Sequence, residues 1–115
     1  MTPGIRLGRI AFARSGDKGS GANIAVFARA KSKYEFLRRQ LTAARVKKFF
    51  APLGVGAVKR YEVPNLHALN FVLPNILAGG GSRSLRIDSQ GKTLGQAILE
   101  MKLNIPIQTK RKIKR

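Results

Sequence analysis

The hydrophobic residues of this chain change period as it runs, and that change confines it to a mixed fold of strands and helices. In IRLGRIAFAR (residues 5–14) they alternate loosely, with Ile10, Phe12 and Arg14 suited to an opening strand. NIAVFAR (23–29) repeats the strand pattern after the glycine-rich SGDKGSGA (15–22), so residues 8–29 are expected to form a long-looped hairpin. Between 33 and 51 the spacing turns helical: Phe36, Leu37, Leu41, Val46, Phe49 and Phe50 recur at three-to-five-residue intervals. Thr42 is placed to cap a second helical segment, because its hydroxyl can accept a backbone N–H that the helix leaves unpaired. Pro52 and Gly54 end that run. GAVKRYEV (56–63) alternates again as a third strand, and RSLRI (83–87) makes a short fourth. The apolar LHALNFVLPNIL (66–77) fits a buried strand or a helix. With Pro74 inside it, we expect a helix kinked or restarted at that residue. Thr93 is expected to cap a last helix through Met101, and Pro106 to close the fold. The sum is an α+β chain with four antiparallel strands and two to four helices.

Size and composition narrow the function classes. A length of 115 residues suits one domain, and a hydrophobic share of 43% is enough for a core. The domain is expected to span 1–107, with 108–115 a disordered basic tail. The absence of cysteine excludes disulfides, thiolate metal sites and cysteine nucleophiles. MTPGIRLGRIAF lacks the apolar stretch of a signal peptide and no run is long enough to span a membrane, so a cytoplasmic location is expected. The charge is extreme: 23 Lys+Arg against 5 Asp+Glu give a formal +18. Five of these bases fall in Lys110–Arg115, so most of the field belongs to the body of the domain. Such a field attracts polyanions without specificity at low salt.

RSGDKGSGANIAVFAR (14–29), RYEVPNLHALNFVLPNIL (60–77) and GGGSRSLRIDSQGKTLGQAILEM (79–101) resemble the C-terminal domain of the acyclic-terpene-utilisation A (AtuA) proteins, a domain also found as a separate short chain. The resemblance runs from about residue 5 to residue 106, and the SGDKG-then-Asn-Ile block is its most specific part. It implies a ferredoxin-like fold, with helices packed on one face of a four-stranded antiparallel sheet. It also implies work beside a larger AtuA-type protein, or as a homo-oligomer, in the breakdown of terpenoid and branched acids as coenzyme A thioesters. The basic tail is not a family feature.

Candidate site residues cluster in two glycine-rich segments. In Ser15, Gly16, Lys18, Gly19 and Ser20, with Asn23 beyond them, glycines let backbone N–H groups turn inward, hydroxyls add donors and the lysine adds charge. The spacing is not that of a P-loop, since Lys18 precedes Gly19. Gly80, Gly81, Ser82 and Arg83 repeat the same chemistry. Were the two segments to meet at one sheet end, they would grip a phosphate or a carboxylate, as on an acyl-CoA. The bland alternative is a hairpin loop and a helix C-cap. Asp17 and Asp88, beside the Gly-rich turns, are the candidate acid and base. Aspartates in turns more often bond their own backbone, so the chain is not expected to be catalytic alone. Glu35 and Glu100 sit on helices among bases and read as solvated. His67, the lone imidazole, reads as structural. One histidine and scattered acids supply no metal site, and no cofactor is implied. The rival reading is an RNA-binding module that stacks bases on Phe12, Phe27 and Tyr61 among Arg14, Arg29, Lys59 and Arg60. The RNA-binding signature run is missing, and strand aromatics are core residues by default.

Overall fold

Among the described residues the strand and helix patterns resolve into two sheets and three helices. A computed structural model describes residues 4–18, 21–74 and 93–104. In order, β1 (Gly4–Arg6) leads through a 3-10 turn (Leu7–Arg9) into β2 (Ala11–Lys18) and β3 (Gly21–Ala28). Then come α1 (Lys31–Gln40), α2 (Ala43–Phe49) and a 3-10 turn at Ala51–Leu53. β4 (Lys59–Val63) is joined by the 3-10 turn Pro64–Leu66 to β5 (Ala68–Leu73), and α3 (Leu94–Ile98) and β6 (Lys102–Asn104) complete the described chain. The main sheet runs β2-β3-β5-β4 and is antiparallel throughout; β1 pairs with β6 in a separate two-stranded sheet.

Several expectations change. The 5–14 strand is two strands, β1 and β2, broken by the Leu7–Arg9 turn. The long hairpin loop does not exist as expected: the β2–β3 ladder continues to Lys18↔Gly21, so Ser15 to Lys18, Gly21 and Ala22 are strand residues. Residues 68–73 form a strand, not a kinked helix. Leu69, Phe71 and Leu73 face the core in alternation with Asn70 and Val72, and Pro74 ends the element rather than interrupting it. β5 is thus the fourth strand of the sheet. The expected strand 83–87, Pro106 and the tail 108–115 lie outside the described residues. The last helix stops at Ile98, short of Met101.

One face of the main sheet carries the core. Ala11, Ile24, Val26, Leu69, Phe71 and Leu73 pack with Leu37 of α1, Val46 of α2, and Leu94 and Ile98 of α3 in one buried cluster. The caps are those the sequence implies. Thr42 Oγ1 accepts from the Arg45 N–H at 3.1 Å. Thr93 and Gln96 form a capping box, each side chain bonded to the other's backbone N–H. Helix α3 lies so close to β2 that a Cβ on Gly95 would sit 3.1 Å from Ser15 Oγ, so only glycine fits there without a shift.

Tyr34 of α1 is buried, and its hydroxyl has no hydrogen-bond partner among the described residues. Its ring rests 5.9 Å from that of His67, which adopts a left-handed backbone (φ 51°) at the β4–β5 turn. A buried hydroxyl without a partner costs about 1–3 kcal/mol. Tyr34→Phe is therefore expected to stabilise the fold by about 1 kcal/mol in urea unfolding. Burial, reinforced by Glu62, pushes the phenol above its ordinary 10.0. The folded state then holds the proton more tightly, so stability is full below pH ~10 and falls as pH rises past that value. The Phe variant is expected to lose that alkaline decline, and an unchanged decline would argue against it.

Candidate functional site: the open face of the sheet

Opposite the helices, the main sheet presents a second face, fixed residue by residue by the register. Its first row runs Phe12, Phe27, Ala68, Val63 across the four strands. The next runs Arg14, Ala25, Asn70, Tyr61, and the third Gly16, Asn23, Val72, Lys59. None of these positions is acidic. Phe12 and Tyr61 are 44% and 50% exposed, although strand aromatics are expected to enter the core. The register explains the departure: Ala11, Val26 and Phe71 hold the inward parity, which leaves Phe12, Phe27 and Tyr61 on the outward one. Leu66, in the β4–β5 turn, is 60% exposed as well.

This face is organised. The Phe12 and Phe27 rings stack with centroids 5.1 Å apart and planes 11° from parallel. The Arg29 guanidinium lies 6.0 Å from the Phe12 ring centroid, within cation–π range, and donates to the Gly8 carbonyl at 3.4 Å. Asn23 Nδ2 donates to Asn70 Oδ1 at 3.3 Å across the neighbouring strands. Arg14, Arg29 and Lys59 have no ion-pair partner among the described residues; the pairs there use Arg6, Arg38 and Arg60. Glu35 bonds Arg38 one turn along α1, and that bond pulls its carboxyl below the usual value. The result is an apolar row bordered by uncompensated cations.

The sequence-derived anion site is met only in part. Ser15 points to the helix side, where its hydroxyl accepts from the Gly95 N–H at 3.0 Å. Gly16 and Asn23 are cross-strand partners on the open face. Asp17 and Lys18 are described only as backbone, paired with Ala22 and Gly21. The side chains of Asp17 and Lys18 lie outside the described residues, as do Gly19, Ser20, Gly80, Gly81, Ser82, Arg83 and Asp88. Arg60, grouped with the surface cations by sequence, turns inward: its Nη1 donates to the carbonyls of Arg38 (2.7 Å) and Leu41 (3.1 Å). Among the described residues no group of His, Cys, Asp and Glu is arranged to hold a metal, and no helix is long and apolar enough to cross a membrane.

No curated protein and no solved structure matches the chain. A family model does. The model of the AtuA ferredoxin-like domain covers residues 5–104, which takes in all of the described elements except Gly4 at the start of β1. With the antiparallel sheet and its one-sided helices, this match places the chain in the AtuA ferredoxin-like domain family.

Proposed function

We propose that this domain is an accessory binding subunit that docks through its open sheet face onto a larger AtuA-type protein. Its setting is the cytoplasmic metabolism of terpenoid or branched-chain acyl-CoA and carboxylate compounds. The observation that carries the reading is the outward placing of the exposed Phe12 and Tyr61 and the half-buried Phe27 on one sheet face beside Arg14, Arg29 and Lys59. Aromatic and Arg side chains are the residues that dominate protein interfaces when buried together. The lack of an acid among the described outward positions of the sheet fits a partner surface that is acidic around an apolar centre. In this reading the domain supplies binding and the larger chain supplies chemistry.

The test measures association of the purified domain with the larger AtuA-type protein of the same organism by titration calorimetry. Phe12→Glu/Tyr61→Glu changes two exposed side chains, so the fold should survive, as circular dichroism can check. We expect this variant to weaken association at least tenfold, with Lys31→Glu on α1 within twofold of wild type. No association of the wild type, or an unaffected double variant, sinks the reading. The same aromatic and cationic surface suits stacked bases. Tight, sequence-selective RNA binding near 0.15 M salt that collapses in the double variant would put nucleic acid in the partner's place. Weak binding that disappears with salt would be only counterion release.

A further inference from the structure

A largely open cleft lies on the helix side, where no wall comes from the four-stranded sheet. Arg45, Lys48 and Phe49 occupy one face of α2 at i, i+3 and i+4. They face Glu100, Met101 and Lys102, at the start of β6, across a cavity of about 350 Å³. Both walls are held in place. Thr42 caps α2. The other wall is tied by Glu100 N–H to the Ala97 carbonyl and Met101 N–H to the Ile98 carbonyl, each 3.0 Å, and by Leu7 N–H to the Met101 carbonyl at 2.8 Å.

The lining has two parts. Phe49 and the largely buried Met101 supply an aromatic ring and a polarizable thioether, groups that accept varied apolar shapes. Arg45, Lys48 and Lys102 bring three cations with no ion-pair partner among the described residues. The one acid, Glu100, stands 3.9 Å from Arg6, which is not among the lining residues. Three cations against one carboxylate leave the lining net positive, and a bound anion offsets that excess. A cavity this size sits at the small end of the ligand-pocket range, roughly 300–1,000 Å³.

We propose that this cavity binds a small amphipathic anion, a single carboxylate or phosphate head held by Arg45, Lys48 and Lys102 with a short apolar body against Phe49 and Met101. Because it shares no residue with the open sheet face, it stands or falls independently of the docking proposal.

The experiment titrates the intact chain at about 0.15 M salt, which screens the general field of the protein. The probes are octanoate, octyl phosphate, inorganic phosphate and octanol. At least one octyl anion is expected to bind ten times more tightly than both inorganic phosphate and octanol, and the tighter of the two identifies the head group. Lys48→Glu and Lys102→Glu, both exposed positions, should each weaken that anion at least tenfold, while the remote Lys31→Glu stays within twofold. Octyl anions that bind no better than inorganic phosphate would overturn the proposal, leaving charge alone. So would a Lys31→Glu loss as large as that of Lys48→Glu, or no detectable binding of either octyl anion.

Discussion

Phe71→Ala is expected to cost about 3–5 kcal/mol of folding stability, the usual range for emptying a buried phenylalanine site. Phe71 is fully buried on β5, an interior strand of the main sheet, between Ile24 of β3 and Arg60 of β4. Neither neighbour can shift to fill the space without breaking a ladder. Domains of this size hold about 5–15 kcal/mol in total, so the variant is left near the edge of folding. The thermal midpoint should fall on the order of 10–20 °C by circular dichroism. Val72→Ala, one residue on and facing outward, is expected to cost under about 1 kcal/mol. Equal losses at the two positions would contradict the alternation that defines β5.

The second large effect belongs to Arg60. Its Nη1 donates to the Arg38 and Leu41 carbonyls at the end of α1, and its Nη2 donates to Glu62 Oε2 at 3.0 Å. One side chain from the sheet thus satisfies carbonyls that the helix end leaves unpaired and brings positive charge to the negative end of the helix dipole. Arg60→Met should lower stability by about 2–3 kcal/mol, a typical loss for charged hydrogen bonds to backbone that is largely withdrawn from water. The denaturant midpoint should move while the slope stays constant. Arg60→Lys should recover less than half, because an ammonium cannot span the two carbonyls and the carboxylate as the planar guanidinium does. A Met variant within about 0.5 kcal/mol of wild type would show that solvent serves those carbonyls equally well.

What could be read from the sequence divides by the range of the interaction involved. Thr42 and Thr93 announce their caps because a cap is a bond between residues three apart. The β2–β3 pairing is visible in its two alternating stretches, but its loop is overestimated. Gly16 and Gly21 look like turn residues although they pair in the ladder. The 66–77 segment misleads because Ala68 and Val72 put apolar residues on the other parity from Leu69, Phe71 and Leu73, and Pro74 then resembles a break inside a helix. A strand ending at a proline has the same local signature. β1 and β6 are three residues each and separated by nearly the whole chain, so no local pattern announces their pairing. The open face follows the same logic. Phe12 and Phe27 are apolar residues in strands, and only the register that sets them opposite each other shows that they share the outward side. Arg60 could not be told from its neighbours Lys59 and Tyr61 without the position of α1.

The pairing of β1 with β6 has a consequence for how such a unit travels between proteins. Gly4 lies opposite Asn104, so the two ends of the described domain sit beside each other, a few ångströms apart. A module with adjacent ends can be spliced into a host loop, hung from a host terminus or cut loose without rearranging its interior. Its junctions then demand almost nothing of the surrounding chain. Joining 4 to 104 through a short glycine-rich bridge and opening new ends in a surface turn should give a circular permutant with the same core, because β1 and β6 already hold those two positions side by side.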